Sequence, residues 1–317
     1  MRLFWKTVIE PVVEILQPEV IVEVGSSAGG NTSNILEYCR RSGAKLHVID
    51  PAPKYEVSDW QERHGGHLIF HEDLSLNALP RIEGFDIVLI DGDHNWYTVY
   101  NELRVIEERC EELSRPFPLV MLHDVGWPYG RRDMYYGPQT IPDEYRKPYA
   151  RKGMHPESRE LLEEGGINRP LNNALFDNEP RSGVLTAVED FMQATEQKLD
   201  LLKIPGINGL GVLVPVKLQE RNEALAAFLS TLGFPEAAVR HVELVERLRV
   251  DAQARMKEAK RQQKKASEQL RRLRRETRRL RREMEDMKNS RGWKVAHNIN
   301  AATLKLRAAL GRAKAQK

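Results

Sequence analysis

Short apolar runs alternate with amphipathic stretches over the first two thirds of the chain. The runs Val20–Val24, Leu46–Ile49, His67–His71, Phe85–Ile90 and Leu119–Leu122 are mostly apolar, as strands covered on both faces are. Between them Thr32–Ser42, Ser58–His64, Ala78–Ile82 and Tyr97–Leu113 read as helices. A helix at Leu185–Gln193 precedes two more apolar runs, Leu201–Ile204 and Leu210–Pro215, which flank Pro205-Gly-Ile-Asn-Gly209. A turn of that composition predicts an antiparallel pair closing one sheet edge. The alternation predicts an α/β fold: a doubly wound, mostly parallel, seven-stranded sheet with ligands at the carboxyl ends of its strands.

Two regions break this pattern. Residues 125–183 begin Trp127-Pro-Tyr-Gly-Arg-Arg-Asp-Met-Tyr-Tyr136 and continue through Pro138, Pro142, Pro148 and Pro156. So long a loop inside a domain is a lid, a binding element or a disordered insertion. Its aromatic and Arg content favours a substrate-covering region. Arg131, Arg132, Arg146 and Arg151 read either as contacts for an anionic acceptor or as solvated loop charges. Near the C-terminus, Leu270, Leu273, Thr277, Leu280, Met284 and Met287 follow the 3-4-3-4-3 spacing of a coiled-coil seam. The seam extends back through Ala266, Gln263, Ala259 and Met256. Runs such as Arg271-Arg-Leu-Arg-Arg275 surround it. Like-charge repulsion is therefore expected to weaken a parallel pair unless an acidic partner or anion intervenes. Ala301–Ala313 reads as a short basic amphipathic helix carrying Leu304, Leu306 and Leu310.

Charge sharpens the division. The net +3 conceals +16 over residues 255–317 and −13 over residues 1–254. An acidic body joined to a basic tail implies two modules. The expected organisation is a catalytic body at 1–216 containing the 125–183 insertion, a helical connector at 217–250, a basic coiled coil at 251–290 and a basic tail at 291–317. Two cysteines give no disulfide framework. No apolar run reaches the length of a membrane span. Met1–Glu14 reads as an amphipathic helix and not a signal peptide. The cytoplasm is the expected compartment, with peripheral contact between the tail and an anionic membrane surface as a further expectation.

Candidate chemistry starts at Ile21-Val-Glu-Val-Gly-Ser-Ser-Ala-Gly-Gly30, an apolar run entering a Gly-rich turn. Glu23, Gly25, Ser26 and Gly29 are the expected cofactor contacts, and Asp50 after the second run is placed to accept ribose hydroxyls. The turn lacks both G-x-G-x-x-G and a P-loop Lys. Further on, Ile90-Asp-Gly-Asp-His-Asn-Trp-Tyr97 and Met121-Leu-His-Asp-Val-Gly-Trp127 end the fourth and fifth runs. Asp91, Asp93, His94, His123 and Asp124 would then meet in one crevice. Carboxylates suit Mg²⁺, and imidazole admits softer ions. A hydroxyl nucleophile needs such polarisation and a base beside it. Asp93 reads better as the N-cap of the next helix than as a ligand. His123 reads either as a ligand or as a core histidine bonded to backbone.

These motifs, in this order, resemble the class I S-adenosylmethionine (SAM)-dependent methyltransferases, whose first motif is a strand ending in (D/E)-x-G-x-x-x-G. The resemblance covers residues 1–216 and implies a Rossmann-like sheet with a reversed last strand. Ile90–His94 followed by His123-Asp124 is similar to the metal-dependent sugar and small-molecule O-methyltransferases, including the macrolide sugar enzymes and, more distantly, catechol O-methyltransferase. It implies SAM, Mg²⁺ or Mn²⁺ at Asp91 and Asp124, and His94 as general base. It also implies an adenine contact from the acid after the third run, for which Asp73 is preferred. His123 stands where the family commonly has a carboxylate and is the third expected ligand. Asn289-Ser-Arg-Gly-Trp-Lys-Val-Ala296 resembles an element behind coiled coils in bacterial glycan-assembly proteins. The expected acceptor is thus a hydroxyl of a sugar, glycan or other small molecule. The coil is expected to form a homo-oligomer or to dock an acidic partner. Two rival readings remain: a non-catalytic coiled-coil scaffold with a vestigial SAM-binding domain, and an RNA methyltransferase. No recognisable RNA-binding domain and an acidic body argue against nucleic acid.

Overall fold

Apolar runs and amphipathic segments become sheet and covering helices in the computed structural model, which describes residues 1–314 and the side chains of residues 1–308. The order is α1 (Glu10–Leu16), β1 (Val20–Val24), α2 (Thr32–Ser42), β2 (Lys45–Ile49), α3 (Val57–His64), β3 (Leu68–His71), α4 (Ser75–Ala78), β4 (Ile87–Ile90), α5 (Trp96–Glu112) and β5 (Leu119–His123). The insertion adds β6 (Met134–Tyr135), β7 (Tyr149–Ala150), β8 (Gly153–His155), β9 (Ser158–Leu162) and β10 (Asn172–Ala174). Then come α6 (Val184–Ala194), β11 (Leu199–Ile204), β12 (Leu210–Pro215), α7 (Val216–Arg221), α8 (Glu223–Thr231), α9 (Glu236–Asn289) and α10 (Arg291–Lys314).

Seven strands form one sheet in the order β11-β12-β5-β4-β1-β2-β3. Strands β1 to β5 are parallel, and β12 runs antiparallel to both β5 and β11. The strands are apolar throughout because both faces are covered. Ile21, Leu89 and Met121 point to one side with Val12, Ile35 and Leu225. Val22, Val88 and Leu122 point to the other with Val99, Leu103 and Phe191. Strand β1 pairs with β2 on one edge and β4 on the other, so the winding reverses there and a crevice opens above the strand ends. The N-terminal stretch is not the single helix expected: a 3₁₀ turn at Arg2–Phe4 and a π-turn at Trp5–Ile9 precede α1. The irregular start lets Phe4, Trp5, Val8 and Ile9 all enter the core.

Within residues 125–183, β6-β10-β7 and β8-β9 form two small sheets. Asp133 ties them to the body: Oδ1 accepts from Trp96 N (2.8 Å) and Gly183 N (2.6 Å), and Oδ2 from the Tyr135 hydroxyl (2.8 Å). Each of the four arginines has a partner within the protein. Arg131 pairs with Glu189, and buried Arg132 donates to the carbonyls of Ala174, Leu175 and Arg159. Arg146 meets Asp143 and Pro138 O, and Arg151 meets Asn172. A long side chain with several donors can close several loop carbonyls at once, which the bare sequence does not reveal.

The chain divides into two compact units, Met1–Arg255 and Met256–Lys317. The first includes α7, α8 and the start of α9, with Leu225, Leu229 and Val250 buried. In the second, Ser290 interrupts the helix, and its Oγ accepts from Trp293 N (3.3 Å), as an N-cap does. The expected tail helix, Ala301–Ala313, falls within α10, and the side chain of Leu310 lies outside the described residues. Among those described, no helix is long and apolar enough to cross a membrane.

Candidate active site

The Gly-rich turn after β1 is held from three sides. Gly25 has φ +86° and its N donates to Ile49 O (2.9 Å). A Cβ there would lie 2.6 Å from the Asp91 carbonyl carbon and Gly92 Cα, so only glycine lets the ends of β1 and β4 approach. Asp50 Oδ2 accepts from Ser26 N (2.9 Å), Ser26 Oγ (2.8 Å) and Ser27 N (2.8 Å), while Oδ1 accepts from Ala52 N (2.9 Å). Oδ1 keeps acceptor capacity for a ligand hydroxyl. Buried Glu23 accepts from Asn31 Nδ2 (2.9 Å) and Thr32 Oγ1 (2.5 Å). It thus clasps the start of α2, and burial pushes its carboxyl up to about 7. Trp60 packs on Gly29 and stacks with Tyr55 at 4.4 Å. The Tyr55 hydroxyl donates to Ser26 Oγ (3.0 Å).

Asp73 is partly exposed just after β3. It accepts from Leu74 N (2.8 Å), Asn77 Nδ2 (2.9 Å) and Arg81 (2.7 Å), which hold it below the usual carboxylate range. These bonds tie the end of β3 to α4 and to the 3₁₀ turn Leu79–Arg81.

The polar ends of β4 and β5 converge. His123 Nδ1 lies 2.8 Å from Asp124 Oδ2 and 3.1 Å from Asp91 Oδ1. Among the described residues, Asp91, His123 and Asp124 form the one group close enough to share a metal ion, with ligand atoms within 4.8 Å of one another. Burial disfavours charge on His123, but the two carboxylates outweigh it and push the imidazole up to about 9. Burial alone would also raise Asp124; His94, His123 and Asn208 hold it well below the usual range. The Met1 ammonium donates to Asp91 Oδ2 at 2.7 Å. Two carboxylates thus draw every nearby cation.

His94 is buried, with Nδ1 3.6 Å from Asp124 Oδ2. The insertion builds its surroundings. Met134 N donates to His94 O (2.9 Å), Tyr129 stacks on the imidazole at 5.3 Å, and the exposed Tyr136 ring sits 5.8 Å away. Burial of the hydroxyl, followed by Asp124, Asp91 and Asp93, pushes Tyr136 up to about 12. Asp93 is not the helix cap that its sequence position suggests. Asn95 directly precedes Trp96, and its Oδ1 accepts from Thr98 N (2.9 Å). Asp93 accepts from the Thr98 hydroxyl (3.2 Å) instead.

Asn208 was legible only as a turn residue. It reaches from the β11–β12 hairpin and donates from Nδ2 to Asp124 Oδ1 (2.9 Å). Its own N donates to Glu246 Oε1 (3.1 Å), and Arg249 donates to its Oδ1 (3.2 Å). The hairpin and α9 therefore both bear on Asp124.

Residues 22–125, about a third of the chain, match the family model described as a methyltransferase domain. The segment runs from β1 to just past β5 and contains both halves of the site. No curated protein sequence matches. Among solved structures, the Podospora anserina methyltransferase PaMTH1 with S-adenosylhomocysteine bound is similar at 15% identity over 64% of this chain and 74% of that one, with TM-score 0.41. Burkholderia thailandensis 1,6-didemethyltoxoflavin-N1-methyltransferase is similar at 15% identity over 65% and 76%, with TM-score 0.36. The PH0226 protein of Pyrococcus horikoshii OT3 is similar at 12% over 68% and 91%, with TM-score 0.39. Likenesses this distant carry no argument about cofactor or acceptor. The order of motifs and strands agrees with that segment: residues 22–125 resemble a methyltransferase domain, set in a Rossmann-like sheet.

Proposed function

We propose that the enzyme transfers the SAM methyl group to a hydroxyl of a sugar, glycan or other small acceptor, with His94 as base and a divalent cation at Asp91, His123 and Asp124. The observation that carries this is the meeting of those three ligand atoms within 4.8 Å, with His94 beside them. Two hard carboxylates and one imidazole fit Mg²⁺ or Mn²⁺. Such an ion, when bound, supplies positive charge that eases deprotonation of the acceptor hydroxyl.

The chain's own residues do the rest. Asp50 and the Ser26 turn hold the ribose side of the cofactor, and Gly25 admits it close to the backbone. His94 Nδ1 faces Asp124, which leaves Nε2 to take the acceptor proton while Asp124 steadies the resulting imidazolium. Tyr129 and Met134 keep water from one side of His94, and Tyr136 offers a ring face to the acceptor. Methyl transfer is then one displacement, in which the oxygen gains the methyl as the sulfonium becomes a thioether.

The test is a Mn²⁺ titration followed by electron paramagnetic resonance, run beside turnover of a panel of hydroxylated glycans. One site per chain, lost in Asp124→Asn, is expected, with turnover abolished by chelator and restored by Mg²⁺ or Mn²⁺. Full turnover in excess chelator would reject the ion.

A further inference from the structure

The seam of the tail is unpartnered in a single chain. Helix α9 is continuous to Asn289. Along it Leu270, Leu273, Leu280, Met284 and Met287 are each about half exposed, at 49%, 58%, 48%, 50% and 51%. Leucines and methionines in one line with heptad spacing call for a second helix.

The register decides which helix. With a at Leu270, Thr277 and Met284 and d at Leu273, Leu280 and Met287, the flanking g positions are Glu276 and Glu283. The e positions are Arg274, Arg281 and Lys288. In a parallel pair each g side chain meets the next e side chain of the other strand, and such contacts set partner and orientation. Glu276 then faces Arg281 of the second copy, and Glu283 faces Lys288. An antiparallel pair would set Glu against Glu and Arg against Arg or Lys. Arg271, Arg272, Arg275, Arg278, Arg279 and Arg282 occupy b, c and f, on the outer surface away from the seam. The repulsion expected from the Arg runs is thus directed largely outward, into screening solvent. Polar, β-branched Thr277 at a, followed by Leu280 at d, fits two strands in one register.

We propose that residues 264–289 form a parallel, in-register, two-stranded coiled coil between two copies of this chain, pinned by Glu276–Arg281 and Glu283–Lys288 contacts between strands. The pairing is independent of the methyl-transfer chemistry. The outward arginines leave the coil basic on its surface.

The test uses the full chain. Sedimentation at tens of micromolar is expected to give twice the 36.5 kDa chain mass; a single-chain mass overturns the proposal. Leu273→Cys and Met287→Cys, made separately, are each expected to self-cross-link on mild oxidation, because Cys39 and Cys110 are buried. An antiparallel pair can align at most one of these positions with itself, so failure of either variant overturns the orientation even if the bodies also associate. Glu276→Lys with Glu283→Lys, and separately Arg281→Glu with Lys288→Glu, should each weaken self-association about tenfold or more. An equimolar mixture should recover it, because the reversed charges again complement each other. No recovery, or stronger capture by an acidic helix than by a second copy, overturns the homotypic pairing.

Discussion

Replacing Asn208 removes a donor from Asp124 without touching the sheet. Asn208 Nδ2 lies 2.9 Å from Asp124 Oδ1, and its carbonyl accepts from Gly126 N at 2.6 Å. Its φ is +67°, within a turn where Gly206, Ile207 and Gly209 have φ of +88°, +51° and +84°. Glycine keeps that backbone and deletes the donor, so Asn208→Gly reads the bond to Asp124 together with the longer, exposed contact from Arg249. A hydrogen bond to a charged acceptor contributes about 1.5–3 kcal/mol. Glycine adds about 0.4–1 kcal/mol through the freer unfolded chain. The expected loss is roughly 2–4 kcal/mol in urea unfolding. Asn208→Ala loses the same bond and leaves a Cβ in left-handed space, where Asn is tolerated better than Ala, so it should fall as well. Affinity for Mn²⁺ is the second readout, because it does not depend on the unfolded state. It should weaken in both variants while S-adenosylhomocysteine affinity moves little. If Asn208→Gly matches the unaltered protein in stability and Mn²⁺ affinity, the hairpin does not support Asp124 and the reasoning fails.

Glu102 is fully buried, neither oxygen accepts a well-formed hydrogen bond, and burial, eased by Ser75 and reinforced to a lesser degree by Asp93, pushes it up to about 8. The folded state therefore holds a proton that the unfolded state releases near pH 4.5, and stability falls as pH rises through the window up to about 8, by about 5 kcal/mol in all. Glu102→Met should lack that slope; parallel stability–pH profiles for the two proteins would contradict it. Gly25→Ala should abolish S-adenosylhomocysteine binding by calorimetry, since its Cβ meets the Asp91–Gly92 backbone; wild-type affinity would show that β1 and β4 do not approach so closely. His94→Ala should lower turnover about 10²–10⁴-fold with cofactor affinity retained, whereas equal loss of both would remove its role as base.

The sheet was readable because its signals are local. The bounds of β1 and α2 coincide with their apolar pattern, and the reversed hairpin follows from its turn residues. The Gly25 turn and the polar ends of β4 and β5 were likewise visible, because a buried parallel strand must end where polar residues begin. Which groups those ends would touch was not visible. Asp93 and Asn95 are both plausible caps by residue type, and only the observed start of α5 selects Asn95. Asp73 is occupied by Asn77 and Arg81, and the insertion's arginines by carbonyls and acids up to 58 residues away. Asn208 meets Asp124 across 84 residues of sequence. By itself the sequence determined the order of the seven strands of the main sheet, the glycine turn and the seam spacing, since period and turn chemistry act over a few neighbouring residues. The partners of the charged and amide side chains were decided only in tertiary structure, where packing brings distant donors and acceptors together and burial penalises any left unpaired.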